Sequence, residues 1–402
     1  MKYFEELRAQ LLELLDTDRE LEEQEIRDTI DELLLASGRR HPLSLRERAE
    51  LKNELFYSVR GLDVLQELAD NPEITEIMVN GYRNIYYEKQ GKLYRWGKCF
   101  SAPERLEDVI QQIAAGCNRS VNEQMPILDA RLSGGERVNV VMPPVALNGP
   151  VLTIRKFPEK PITMERLTAW GSVTEEAAEF LEQLVRASYT VLVGGGTSTG
   201  KTTFLNALSR FIPEDERIVT IEDTAELRLQ GTENLVRLEV RPENLQGGGE
   251  IGIGQLIRTA LRMRPGRIIV GEVRGAETAE FLNCLNTGHE GSLGSAHANS
   301  IRDMIGRLET MALMGQQLSE QVIRRQIAAG IEILIHLERD RTGKRQVAEI
   351  GEIAGLREGE VQVNLLYRRE RDNRLVRVGN LTRKEKLEKW KEAVYGKGKD
   401  QL

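Results

Sequence analysis

Cysteine is scarce in this chain. Its 402 residues include three, Cys99, Cys117 and Cys284, odd in number and far apart. That excludes a disulfide framework and any zinc-binding spacing, so reduced thiols are expected. Long apolar runs are missing as well: no stretch approaches the roughly 18 apolar residues needed to cross a bilayer. Met1 to Leu15 mixes acidic with apolar residues and has no basic start, which argues against a secretory signal. Positive charge is not in excess. Lys and Arg number 56 against 63 Asp and Glu, a net charge of −7, so the chain as a whole is not built to grip nucleic acid. There is no internal repeat or low-complexity tract. The expectation is a cytoplasmic protein whose association with a membrane, if it has one, is peripheral.

The length allows two or three domains with real cores. Residues 1–60 are rich in Leu, Glu and Arg, with Leu7, Leu11, Leu14 and Leu15 at three- and four-residue steps, and read as amphipathic helices. Residues 61–156 read as a smaller α+β domain. Strands are expected over Ile74–Val79, Asn84–Glu88, Arg137–Met142 and Val151–Arg155, and a helix over Leu106–Ala115. Residues 157–172, opening on Phe157-Pro158-Glu159-Lys160-Pro161, read as a linker. In 173–381 helix and near-continuously apolar strand patterns alternate, which predicts an α/β fold with a mostly parallel sheet covered by helices. Residues 382–402 form a charged C-terminal tail, a terminal helix or a frayed end.

The most informative stretch lies in residues 173–381. Gly195-Gly196-Thr197-Ser198-Thr199-Gly200-Lys201-Thr202 fits G-x-x-x-x-G-K-[ST]. Glycines let the backbone turn tightly enough for successive N–H groups to face an anion. The lysine reaches the terminal phosphates and the hydroxyl of Thr202 ligates Mg²⁺. The apolar run Tyr189–Val193 precedes the loop as a strand. Thr203-Phe204-Leu205-Asn206-Ala207-Leu208 follows at helical spacing, which sets the loop at a helix N-terminus. Residues Gly195 to Thr203 are therefore expected to bind ATP.

Three further groups accompany this loop. The strand ending at Ile221 delivers Glu222 and Asp223, with Glu226 close behind; the strand Arg267–Val270 delivers Gly271-Glu272-Val273-Arg274. Acids at the carboxyl edge of such a sheet are placed to hold Mg²⁺ or to orient an attacking water. Two of the four histidines, His289 and His297, stand eight apart in a glycine-rich stretch. No cysteine joins them, so they do not form a zinc site; a role in sensing the γ-phosphate or in coupling it to movement is expected instead. His336 reads as a strand residue and His41 as a surface one.

Together these stretches resemble the ATPases that power type II and type IV secretion and type IV pili, in particular the CpaF-like branch of Flp/tight-adherence pilus assembly. The resemblance spans about residues 60–380 and rests on EITEIMVNG, RVNVVMPPVALNGPVLTIRKF, GGTSTGKTT, IEDTAEL, ALRMRPGRIIVGEVRG and NTGHEGSLGSAHANS. It implies a RecA-like P-loop ATPase domain, a homohexamer and partners in an inner-membrane platform, with no stable nucleic-acid ligand. Gly195 to Thr202 match the Walker A loop, and Glu222, Asp223 and Glu226 the Asp box, whose first glutamate positions the attacking water. Glu272 matches the Walker B glutamate near Mg²⁺, and His289 and His297 the His box. Arg137 and Arg155 match arginines that approach the phosphates when two domains close. A conjugation-linked, DNA-translocating relative is the alternative. One departure stands out: relatives carry Gly-Ser where this loop has Ser198-Thr199, so Ser198 must adopt dihedrals that suit glycine.

Overall fold

The computed structural model describes residues 2–15, 21–37, 43–132, 134–156, 162–229, 231–241 and 249–396. They divide into two compact units, Met1–Glu159 and Lys160–Leu402. His41 and the proline-bearing stretch 157–161 lie outside the described residues.

The first unit begins with α1 (Lys2–Leu14), α2 (Glu23–Ser37) and α3 (Leu45–Arg60). Leu7 and Leu11 bury one stripe against Ile26, Ile30 and Leu55, as four-residue spacing on each helix requires. Ser44 starts α3 with a capping box to Glu47. The chain then passes through α4 (Gln66–Asp70), β1 (Ile74–Asn80), β2 (Ile85–Lys89), β3 (Lys92–Arg95), α5 (Pro103–Gly116), β4 (Ile127–Arg131), β5 (Arg137–Val141) and β6 (Val151–Arg155). These strands form one antiparallel sheet in the order β3-β2-β1-β6-β5-β4. Alternate residues Ile77, Val79, Val138, Val140, Leu152 and Ile154 bury one face of it in a core shared with Leu106, Val109 and Ile110 of α5. Arg8 pairs with Asp108 at 3.4 Å, and Gln112 donates to the Val59 carbonyl at 3.2 Å. The helical stretch 1–60 thus belongs to the same unit as the sheet that follows it.

The second unit contains α6 (Met164–Ala169), α7 (Glu175–Arg186), β7 (Val191–Gly195), α8 (Lys201–Ser209), β8 (Ile218–Glu222), β9 (Leu235–Glu239), α9 (Ile253–Ala260), β10 (Arg267–Val273), α10 (Thr278–Leu285), β11 (Leu293–Ala296), α11 (Ile301–Gly315), α12 (Glu320–Gly330), β12 (Ile333–Arg339), β13 (Arg345–Arg357), β14 (Glu360–Arg369), β15 (Leu375–Arg377) and α13 (Glu385–Tyr395). Among the described residues the sheet runs β15-β14-β13-β12-β7-β11-β10-β8-β9. From β12 to β9 every pairing is parallel; β13 to β15 extend the sheet as an antiparallel meander. Both faces are covered. Val191 and Val193 point into one core and Leu192 into the other, which is why β7 is apolar at every side-chain position.

One stretch differs from the sequence reading. Residues 162–172, expected to be linker, include α6, whose Met164 and Leu167 are buried in the core of the second unit. The charged tail contains α13, the terminal helix that is one of its two expected forms, and two buried carboxylates moor it to the sheet. Glu352 accepts from the Thr382 N–H and hydroxyl, each at 2.8 Å, and from the Arg383 N–H at 2.6 Å. Glu332 accepts from the Thr190 N–H and the Lys386 ammonium, both at 2.9 Å.

Candidate active site

Parallel strands point their C-terminal ends to one edge, and that edge gathers the chemistry of this chain. Adjacent strands β7, β11, β10 and β8 end, in that spatial order, at the phosphate loop, His297, Glu272 and Glu222.

The loop is shaped by what it leaves no room for. A Cβ on Gly195 would lie 2.5 Å from Thr199 Oγ1 and 2.6 Å from the Leu337 carbonyl oxygen. Gly200 caps α8 at φ +96, a left-handed conformation that favours glycine. Ser198 is also left-handed, at φ +59, a strained position for a residue with a Cβ. Thr199 Oγ1 donates to the Gly196 carbonyl at 2.9 Å. Thr202 and Thr203 lie in the first turn of α8, where unpaired N–H groups and the helix dipole favour an anion.

Lys201 is buried at the start of α8. Its ammonium donates to the Gly195 and Gly196 carbonyls, each at 3.2 Å, and stands 3.3 Å from Glu272 Oε1. His297 completes the cluster, with Nε2 3.0 Å from the same Oε1 and Nδ1 3.3 Å from the lysine nitrogen. Lysine can only donate, so Nδ1 accepts and the imidazole stands between cation and anion, while Glu272 Oε1 itself makes no hydrogen bond among the described residues. Burial pushes the His297 pKa down, and Lys201 and Arg274 add to this against the opposing pull of Glu272.

The two glutamates are held in opposite ways. Burial pushes Glu272 up, but Lys201, Arg274 and His297 outweigh it and hold the carboxyl below its ordinary value. Arg274 grips Glu272 Oε2 through Nε at 2.7 Å and its other arm at 2.6 Å, while reaching Asp223 at 3.3 Å. Glu222 is buried and pushed up to about 7, chiefly by loss of solvent. Its Oε2 accepts from the N–H groups of Glu226 and Leu227, both at 2.8 Å. Its Oε1 is buried without a hydrogen-bond partner among the described residues. Gly271 makes space for this side chain, since a Cβ there would meet Glu222 Cγ at 2.9 Å.

Among the described residues no cluster of three or more His, Cys, Asp or Glu could hold a metal by itself. The hard oxygens present, the Thr202 hydroxyl and the carboxylate of Glu272, suit Mg²⁺. That ion keeps waters and phosphate oxygens for the rest of its shell.

Other expected residues fall elsewhere. His289 precedes β11 and His297 follows it, so the strand separates them. His289 Nδ1 lies 3.3 Å from the Cys284 carbonyl, at the opposite edge from the phosphate loop. The pair is not one sensor. His336 lies in β12, as expected. Glu226 takes part through its backbone N–H. Arg137 and Arg155, in the first unit, are directly opposite each other across β5 and β6. Each has an acidic neighbour in that unit: Arg137 lies 3.9 Å from Asp129, and Arg155 is directly opposite Glu76 across β1 and β6.

Sequence reasoning gave Arg274 no role and missed Arg339 and Arg345, whose Nε atoms donate to the Ser198 carbonyl at 2.9 and 3.0 Å. The only signal was an arginine-rich turn between two strands.

Residues 59–348 match the type II/IV secretion system protein family. A Mycobacterium tuberculosis protein named for a suspected role in conjugal transfer is 36% identical over 317 residues, covering 77% of this chain and 89% of that protein. The type IV secretion system protein VirB11 of Brucella abortus is 32% identical over 319 residues, covering 72% and 88%. The pilus retraction motor PilT, solved with ADP, superposes with a TM-score of 0.53 at 18% identity, over 85% of this chain and 90% of that one; it supports the fold alone. Phosphate loop, acidic strand ends and matched length converge: the chain belongs to the type II/IV secretion ATPase family, whose members hydrolyse ATP.

Proposed function

We propose that this chain is the motor of a pilus-assembly or protein-secretion machine of the Flp/tight-adherence type. It works as a homohexamer on the cytoplasmic side of the membrane and passes motion to inner-membrane platform proteins. No helix among the described residues is long and apolar enough to cross a membrane, so attachment runs through those partners. The observation that carries the reading is the Lys201–Glu272–His297 cluster beside the phosphate loop, with Glu222 two strands away from β11.

Within that reading Gly195 to Thr203 hold the phosphates of ATP and Lys201 neutralises their charge. Thr202 and Glu272 would hold Mg²⁺, which would supply further charge neutralisation at the phosphates. Glu222, with one oxygen tied down and the other buried without a partner among the described residues, orients the attacking water and takes its proton, a task matched by a pKa near 7. Arg137 and Arg155 meet the phosphates during the cycle. Lys201→Ala is the test: hydrolysis should fall at least about 10²–10³-fold with the fold intact, and normal turnover would overturn the assignment. The name of the Mycobacterium relative favours a second reading, a conjugation-linked motor. Stimulation of hydrolysis by DNA that fades with salt would select it.

A further inference from the structure

The turn joining β12 to β13 lies against the phosphate loop. Asp340 Oδ1 braces it by accepting from the Thr342 N–H and hydroxyl and from the Lys344 N–H, at 2.8, 2.6 and 2.9 Å. Asp340 and Lys344 close it backbone to backbone at 2.9 Å. Arg339 and Arg345 face each other across its base. Two guanidiniums in that position repel, yet both turn their Nε–H onto one acceptor, the Ser198 carbonyl, at 2.9 and 3.0 Å. The stem of Arg345 also lies over Gly200, its Cδ 3.5 Å from where a Cβ would stand.

We propose that Arg339 and Arg345 are positioning residues that aim the Ser198–Thr199 peptide at the nucleotide. A trans peptide is planar, so its carbonyl and the following N–H point in opposite directions. Fixing the Ser198 oxygen toward the turn fixes the Thr199 N–H away from it, on the side an anion takes in a phosphate loop. The same two bonds hold Ser198 at φ +59, a conformation that a serine leaves readily when nothing restrains it. Where glycine stands, no such restraint is needed. The arginine pair and the serine therefore form one device: the serine creates the strain and the arginines contain it.

The experiment uses the full chain carrying Arg339→Ala and Arg345→Ala together, with and without Ser198→Gly. Binding of ADP bearing a fluorescent reporter, the KM and kcat for ATP, and thermal unfolding are measured on each. The double variant should bind ADP roughly tenfold more weakly, the scale on which charge-assisted hydrogen bonds act. KM should rise while kcat changes little, as expected when ground state and transition state lose the same contact. Adding Ser198→Gly should restore about threefold or more of the lost affinity, because glycine holds the left-handed conformation without help. Unchanged affinity in the double variant overturns the proposal. So does a loss that Ser198→Gly fails to relieve, which would mean the guanidiniums act on the nucleotide through their charge. If the double variant does not fold, either single variant, at an exposed position, gives the same test with a smaller loss.

Discussion

The ends of β8 and β10 offer the same residue type to the same edge of one sheet, yet they treat it in opposite ways. At the end of β10, Glu272 has three cationic or polar neighbours and stays ionised. At the end of β8, Glu222 accepts from two backbone N–H groups, and loss of solvent outweighs these and the Arg237 charge, so its carboxyl is pushed up to about 7. In the proposed mechanism this contrast divides the labour: Glu272 would be the fixed charge and Glu222 the proton acceptor at neutral pH. The difference comes from which residues the adjoining strands deliver, not from the glutamates themselves.

The sharpest way to break this comparison is Glu222→Gln. If Glu222 is the base, turnover should fall by about 10²–10⁴-fold while ATP still binds, and the residual activity should lose its rise with pH through about 7. A pH–rate profile of both proteins checks this, and an unchanged profile would remove Glu222 from proton transfer. Glu272→Gln should cost about 10²-fold in turnover. Because Glu272 raises the His297 pKa against burial, the amide should let that pKa drop further, which an NMR titration of the imidazole reads directly.

Stability provides a third test. The folded pKa of Glu222 exceeds its ordinary value of 4.5, so the fold favours the protonated form. Its contribution is complete below pH 4.5 and is lost as pH rises through about 7. The amount is on the order of 3 kcal/mol, at one pKa unit per 1.36 kcal/mol. Denaturant titrations at pH 5 and pH 8 should show this loss in the wild type and a smaller one in Glu222→Gln. Gly195→Ala should lower stability by about 1–3 kcal/mol through overpacking against Leu337. The smallest effect is expected at His289. His289→Ala should change turnover by less than about threefold, within the range of surface substitutions away from special features, whereas His297→Ala should slow it far more.

Much of this site was legible in the sequence, because its parts are local signals. A phosphate loop needs glycines at fixed positions, and strand-end acids follow apolar runs. The strands around Ile74, Val138, Val191, Ile218 and Ile268 stand out for the same reason. What was not legible depends on pairing. His289 and His297 share one stretch of sequence, and only the passage of β11 through the sheet separates them. Met164 and Leu167 are too few to announce a helix beside a proline-rich stretch. The antiparallel part of the sheet from β12 to β15 carries register shifts at His336/Leu337, Ile350/Gly351 and Ile353/Gly355, which blur the alternation a strand is read by. Arg339 and Arg345 look like ordinary surface charges until the hairpin brings them to Ser198.

The spatial order of β7, β11, β10 and β8 has a further consequence. Lys201 and Glu272 flank a strand that the chain supplies only at Leu293, roughly a hundred residues after β7. β7 meets β11 only after β8, β9 and β10 have intervened in the chain, so no fragment ending before Leu293 contains the full row β7-β11-β10-β8. The row around the phosphate loop therefore closes late in the chain, through pairings between residues far apart in sequence, the kind of contact that slows folding.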